Sequence, residues 1–474
     1  MTNAQPTRVA VLGAGPGGYA AAFHAADLGM SVTLIDEASQ PGGVCLFCGC
    51  IPSKALLHAA HTIEESRRAA AWGIHFADPQ IDLNALRGWK QRVVDRLTRG
   101  LGSLARQRRV RYIQGRGQFT DAHTLHVRTA DEVTSVTFDY AILATGSQPA
   151  RPGPLRLDSP LVMDSTAALE IADVPPTLLV VGGGYIGLEL GSVYASLGSQ
   201  VTVVEMTSGL LPGADRDLVE PLEKRLRGQF AEILLNTRVA AIEEYEGGIR
   251  ATLASTELDN VPRDFAKVLV AVGRVPNTRN LGLEHTAVQV TARGFVTVDH
   301  MRRTTEPSIF AIGDVAGEPM LAHKATHEGR VAVEAIAGQP AIFDPAGIPA
   351  VVFTDPEIAW CGLTEAQAHE QGIPVEVSRF PWAASGRTIT MGRNDGLTKL
   401  LIEPRTERIL GIGIVGSGAG ELIGEAVLAL EMGTRVEDLH LTVHAHPTLS
   451  ETLMEAASLY YGQSPHYIAR PPRG

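Results

Sequence analysis

Short apolar runs alternate along the chain with glycine-rich turns and stretches of helical character, a pattern that predicts layered α/β structure. Residues Arg8–Leu12 (RVAVL) read as a buried strand, followed by GAGPGG with Gly13, Gly15 and Gly18 and by a helix from near Pro16 to about Leu28. A second strand, Val32–Ile35, ends in Asp36. Far downstream the arrangement repeats: Leu178–Val181 is apolar, GGGYIG supplies Gly182, Gly184 and Gly187, and Val201–Val204 ends in Glu205. Asp36 follows Gly13 at the same interval at which Glu205 follows Gly182. Two further segments, Tyr140–Pro149 (YAILATGSQP) and Ile309–Asp314 (IFAIGD), read as apolar strands running into glycine turns, the second presenting a carboxylate.

A lone glycine motif is weak evidence. A strand before it, a helix after it and an acid at the right distance make each copy a dinucleotide-binding fingerprint. The first glycine makes the tight turn, the second lets the backbone approach a pyrophosphate, and the third allows close helix–strand packing. The helix N-terminus then faces the phosphate charge. Asp36 and Glu205 are expected to accept hydrogen bonds from ribose hydroxyls. Glu205 also repels a 2′-phosphate, and no Arg or Lys follows it until Arg216, so the second site should prefer NAD to NADP. The first is assigned to FAD, with the Thr145–Gly146 turn and Asp314, placed to bind a ribityl hydroxyl, completing the site.

Length and composition narrow the class. At 474 residues the chain is too long for one core. Its 49 glycines and 5% aromatic content suit tight strand-to-helix turns. A net charge of −11 without a basic block argues against nucleic acid or an anionic membrane as main partner. No apolar run in the sequence approaches the ~18 residues that span a bilayer. A strand beginning by Arg8 leaves no room for a leader segment, and four cysteines do not make a secreted disulfide framework, so a reducing cytoplasm is expected.

The stretch GGVCLFCGCIPSK (Gly42 to Lys54) carries the chemistry. Cys45 and Cys50 lie five apart, which in a regular helix gives about 7.5 Å of rise, too long for a disulfide. The chain must bend before the helix that runs through Ala55–Ala60, and Gly49 lets it do so. Cys50 then falls at a helix N-terminus, where unpaired N–H groups stabilise a thiolate. Taken alone, such cysteines are more often ordinary small hydrophobes. Cys48 leaves a Cys45–Cys48 ring or a metal half-site open. With Cys361 the one remaining cysteine, no second pair completes a zinc site.

With these residues in hand, the chain resembles the pyridine nucleotide–disulfide oxidoreductases over nearly its whole length, from GAGPGGYAAAFHAADLG through VVFTDPEIAW and FPWAASGR to VHAHPTLSE. The resemblance implies two Rossmann-like dinucleotide-binding domains (FAD, NAD) plus a C-terminal α+β dimerisation domain. The boundaries it suggests are 1–149 for the FAD domain with a redox disulfide, 150–275 for the NAD domain, 276–345 for a central domain and 346–474 for the interface domain, a mixed sheet with helices. Cys50 should be the sulfur that contacts the flavin, and Cys45 the interchange thiol that meets substrate. Lys54 would lie near the flavin and pair with Glu189, and Tyr185 would cover the flavin face where nicotinamide docks. Leu321, Ala322 and His323 should line the flavin's polar edge, mainly through backbone groups, and Gly273 should approach the nicotinamide cofactor. His446, held by Glu451, would reach the disulfide of the opposite subunit of a homodimer; His444 is the weaker candidate. The implied activity is oxidation of a protein-bound dihydrolipoyl group with reduction of NAD⁺, in an enzyme that docks on the acyltransferase core of a 2-oxoacid dehydrogenase complex or serves glycine cleavage.

Departures from the family pattern are local. Phe47-Cys48 stands where Asn-Val is usual, and Asp36 replaces the commoner Glu. Rival readings fit less well. A glutathione reductase would want basic residues where Glu205 stands, and a mercuric reductase a second cysteine pair in GQSPHYIARPPRG. A transhydrogenase would not need Cys45 and Cys50. A flavoprotein kept mainly for docking is the alternative from another class.

Overall fold

The computed structural model describes residues 5–256 and 259–468; residues 1–4, on which the expectation of no leader segment bears, lie outside them. The internal repeat is realised strand for strand. In the first sheet the parallel order is Ile309–Ala311, Tyr140–Leu143, Arg8–Leu12, Ser31–Asp36, Arg111–Gln114. In the second it is Val162–Met163, Lys267–Val270, Thr177–Val181, Gln200–Val204, Glu232–Leu234. Each copy leaves its third strand, makes a three-stranded antiparallel meander, and returns beside its first strand. The fifth strand differs in origin: Ile309–Ala311 arrives from far downstream, whereas Val162–Met163 precedes its sheet. These strands read as continuous apolar runs because both faces are covered, one by helices and the other by the meander: Val11, Leu34 and Ile142 are fully buried on the helix side, and Leu179 against the second meander.

The C-terminal region is a five-stranded sheet in the order Ala350–Val352, Glu357–Gly362, Ile409–Gly416, Leu397–Ile402, Glu376–Pro381. Every pairing in it is antiparallel, which corrects the expected mixed sheet. For two of the pairings, across 353–356 and 403–408, the physical reason is connection length. Leu397–Ile402 and Ile409–Gly416 are joined by a tight turn at 403–408, and a parallel pairing needs a crossover of a dozen or more residues. Helices Ala419–Glu431 and Glu451–Tyr460 pack on this sheet and bury Ile423, Leu453 and Ala456.

Contrary to the sequence expectation, the helical run 43–72 is long and apolar enough by composition to cross a bilayer. It is interrupted at Gly49 and carries Lys54, and it packs on helices Tyr185–Leu197 and Leu83–Gln107, with Leu56 only 1% exposed. Part of its apolar face is therefore covered by this same chain.

Candidate active site

The two glycine turns show the same division of labour. Gly13 and Gly182 adopt φ of +103° and +109°. A Cβ on either would sit 2.2 Å from the Ala144 carbonyl oxygen or 2.4 Å from that of Ala271. A Cβ on Gly18 or Gly187 would strike the carbonyl of its own first glycine at 1.8 or 2.2 Å, so helix and turn are in backbone contact. The middle glycines face space: Gly15 has only Gly43 Cα, at 3.8 Å, and Gly184 has nothing within 4 Å. Each turn thus leaves open the place where a pyrophosphate needs backbone approach.

The closing acids have a role that the sequence did not show. Asp36 accepts hydrogen bonds from Ala14 N–H (2.6 Å) and Ala38 N–H (2.8 Å). Glu205 accepts from Gly183 N–H (2.7 Å), Thr207 N–H (2.7 Å) and the Thr207 hydroxyl (2.8 Å). Both carboxylates brace their own glycine turns and keep spare lone pairs for a ribose. Arg216, the nearest cation in sequence, is occupied by the carbonyls of Leu210, Leu211 and Ala214.

A cleft of about 1280 Å³ runs along the first copy, above the size of drug-like sites and sufficient for a dinucleotide. Its walls include Gly13, Gly15, Asp36, Thr145, Gly146, Asp314 and Ala322, together with Cys45, Cys50, Lys54, Tyr185 and Glu189. Leu321 and His323 stand outside it: Leu321 precedes the helix Ala322–Ile336, and the His323 ring bonds the Pro349 carbonyl (2.8 Å). Gly182, Gly184, Gly187, Glu205 and Gly273 also lie away from this cleft, on the second nucleotide fold. The residues fit FAD and NAD(H): one open glycine cradle each, braced acids, and a cleft that joins the first cradle to the cysteines.

The cysteine loop docks directly onto that cradle. Gly43 has φ +62°, and a Cβ there would lie 2.4 Å from Gly15 Cα. Helix Gly43–Cys48 carries Cys45, the chain breaks at Gly49, and helix Cys50–Arg68 begins at Cys50. A Cβ on Gly49 would press on Val44 O at 2.8 Å and Cys45 Cα at 3.2 Å, so only glycine lets Cys50 fold back onto Cys45. The sequence anticipated the bend but not the short helix that carries Cys45.

Both cysteines are thiols in this structure and are hydrogen-bonded to each other. The bond from Cys45 lowers the Cys50 thiol to about 7 against the opposition of burial, with Lys54 assisting. The same hydrogen bond, with burial, pushes Cys45 up, so Cys45 keeps its proton. Lys54 Nζ lies 2.7 Å from Glu189 Oε2, and Glu189 is only 3% exposed. Phe353, which the sequence reading passed over, completes the group. Its ring lies 4.5 Å under Lys54 Nζ, and its N–H donates to Glu189 Oε1 (3.0 Å). Burial raises the Tyr185 phenol to about 12, so it stays neutral on the cleft wall. Asp314 accepts from the Ser147 hydroxyl, which in turn accepts from Arg274 Nε (2.7 Å). Cys48 also lines the cleft but is tied to Thr166, and burial raises its thiol.

The sign of the Cys50 shift yields a prediction. Thiolate absorbance of the dithiol enzyme should rise as pH increases through about 7, with one sulfur titrating there. Lys54→Met should move that midpoint upward. A midpoint unchanged by this substitution would remove Lys54 from the thiolate's environment.

His446 and Glu451 form the expected pair, with Nδ1 2.8 Å from Oε1, and Glu451 also accepts from Thr448 N–H (2.8 Å). His444 is engaged separately, with Glu425 at 2.8 Å. The His446 side chain is 65% exposed and lies outside the cleft of its own chain. Leu428, Met432, Leu441 and Val443 are exposed around the same region, an apolar face suited to a second copy.

Comparison with known proteins agrees with this geometry. Residues 7–329 match the model of the pyridine nucleotide-disulphide oxidoreductases, and residues 348–457 match the family's dimerisation domain. The chain belongs to the pyridine nucleotide–disulphide oxidoreductase family.

Its relatives narrow the branch. Dihydrolipoyl dehydrogenase of Haemophilus influenzae is 48% identical over 98% of this chain and 96% of the relative. Those of Vibrio parahaemolyticus (47%, 98% and 97%) and Geobacillus stearothermophilus (43%, 98% and 98%) are similar to it over the same extent. Among solved structures, LpdA from Mycobacterium tuberculosis gives a TM-score of 0.88 at 28% identity, covering 95% of this chain and 99% of that one. The HOCl-induced flavoprotein disulfide reductase RclA from Escherichia coli gives 0.85 at 28%, covering 95% and 99%.

Proposed function

We propose that this protein is a homodimeric dihydrolipoyl dehydrogenase, oxidising a protein-bound dihydrolipoyl group and reducing NAD⁺ through a Cys45–Cys50 disulfide. One observation carries the reading: a hydrogen-bonded pair of thiols is seated on the first glycine cradle, one of them poised to ionise near neutral pH. The substrate is itself a dithiol with thiol pKa values near ~8.5, so little of it is thiolate at pH 7 and a base is required. His446 of the opposite copy supplies that base, with Glu451 fixing its tautomer through Nδ1.

In the oxidised enzyme the first substrate thiol gives its proton to His446 and attacks Cys45. The Cys45–Cys50 bond breaks and Cys50 leaves as a thiolate, stabilised by the helix N-terminus and Lys54. The second thiol then displaces Cys45, which regains a proton, and the cyclic disulfide departs. FAD and NAD⁺, when bound, supply the two-electron transfer that returns the cysteines to the disulfide. The chain's part is to hold the Cys50 sulfur, the Lys54–Glu189 pair and Tyr185 around that position.

Within this reading the four domains follow the boundaries suggested by the sequence, and the exposed interface domain docks on an acyltransferase core. A cytoplasmic location is supported by three of the four cysteines being gathered in one reactive loop and by the fourth, Cys361, being a free buried thiol rather than a cross-link. The test is a steady-state assay of NAD⁺ reduction with dihydrolipoamide, with glutathione and NADP⁺ as controls. Dihydrolipoamide with NAD⁺ should turn over. NADP⁺ should be used at least about 100-fold less efficiently, because Glu205 repels its phosphate and Arg216 is not free to pair with it. Equal use of both coenzymes would contradict the role given to Glu205, and preference for glutathione would contradict the substrate.

A further inference from the structure

A second imidazole stands beside the base. His466 Nδ1 lies 2.6 Å from Glu455 Oε1, and the Ser464 hydroxyl donates to Glu455 Oε2 (2.6 Å). Glu455 is only 2% exposed and sits one helical turn after Glu451 on Glu451–Tyr460, so both acids project from the same face. The rings of His446 and His466 are stacked, 6.5 Å between centroids and 11° from parallel. Each is therefore held through Nδ1 by a glutamate of one helix and presents Nε2 away from it. The His466 side chain is 48% exposed.

We infer that His466 is a proton relay that discharges His446 between the two thiol steps, an inference resting on the reading of His446 as the base. A dithiol loses two protons on oxidation, while the enzyme disulfide, reduced to a thiol–thiolate pair, takes up one. His446 is already protonated when the second thiol must react. The proton from the first thiol passes from His446 to His466 and out to solvent. His446, neutral again, takes the proton of the second thiol and returns it to Cys45 as the Cys45–substrate bond breaks. The electron pair of the substrate dithiol ends on the Cys50 thiolate and Cys45 thiol, so atoms and charge balance. A spacing of 6.5 Å is too long for a direct nitrogen–nitrogen hydrogen bond and suits transfer through intervening solvent. Glu455 stabilises the imidazolium that forms, as Glu451 does for its own partner.

The test uses the dimeric holoenzyme and two variants with opposite structural compromises. His466→Gln keeps a polar partner for Glu455, and His466→Phe keeps the stacked ring; neither accepts a proton. Flavin content and dimer mass report folding. In dilute buffer both should lower kcat for dihydrolipoamide oxidation about ten-fold with KM within about two-fold, and added imidazole should restore most of the rate. Wild type should not respond to imidazole. Wild-type kcat in either variant, or a loss that imidazole does not repair, overturns the relay. His446→Gln separates this from the underlying reading: if that variant turns over dihydrolipoamide at the wild-type rate, His446 is not the base at all.

Discussion

Cys50→Ser should lower dihydrolipoamide oxidation by at least about 10³-fold, because a hydroxyl neither forms the disulfide nor leaves as a stabilised anion at neutral pH. Cys45→Ser should be as damaging for a different reason: it removes the sulfur that the substrate attacks. Alanine at the same positions tells the two apart by the remaining thiol. In Cys45→Ala the thiol hydrogen bond that chiefly lowers Cys50 is gone, so the Cys50 titration should move up from about 7. In Cys50→Ala the remaining Cys45 loses the hydrogen-bond partner that chiefly pushes it up, and its titration should fall. Both serine variants should still pass electrons from NADH to an artificial acceptor, a reaction that bypasses the cysteines. Turnover of dihydrolipoamide at the wild-type rate in Cys50→Ser would remove this dithiol from the reaction.

Much of this site was legible because it is written locally. A glycine turn, the helix after it and the acid closing the second strand lie within one supersecondary unit, so spacing alone specifies geometry. The same holds for Cys45, Gly49 and Cys50, and for His446 with Glu451. Lys54 with Glu189 needed the family resemblance, since the two are brought together by packing between distant helices. Leu321, Ala322 and His323 came from the family resemblance, mainly as backbone groups, and of the three Ala322 lines the cleft. The helix starting at Ala322 turns His323 toward Pro349. Phe353, Ser147 and His466 carried no sequence signal, because their partners are chosen by tertiary contacts among segments without a shared motif. Two of the four antiparallel pairings in the interface sheet were readable in principle from short connections at 353–356 and 403–408, which outweigh any analogy with the parallel sheets before it.

Lys399→Met should be the most destabilising substitution outside the site, and it falls on another feature with no sequence signature. Lys399 is 1% exposed, and its Nζ lies 2.6 Å from Asp215, 2.8 Å from Asp217 and 2.7 Å from Glu365. The three acids alone resemble a cation site, but the ammonium already stands among them. Asp215 and Asp217 flank the start of helix Arg216–Gln229 beside the second nucleotide fold, whereas Glu365 and Lys399 belong to the C-terminal sheet region. The lysine thus joins the two regions through one buried charge. Methionine fills similar volume yet leaves three carboxylates facing one another, with Arg379 still paired to Asp217 and Glu365. Removing one partner of a buried ionic group costs about 3–5 kcal/mol. At about 2–4 °C per kcal/mol for a domain of this size, the melting temperature should fall by roughly 6–20 °C. Burial works against ionisation of Asp217, but Lys399 and Arg379 together hold its carboxyl below the usual range. That depressed folded-state value stabilises the wild type above the ordinary carboxylate range, and the contribution is lost as pH falls through it. The gap between wild type and Lys399→Met should therefore be widest near neutrality and close on acidification. Calorimetry at a series of pH values reads both effects, and a gap independent of pH would show that Lys399 stabilises the protein by packing rather than charge.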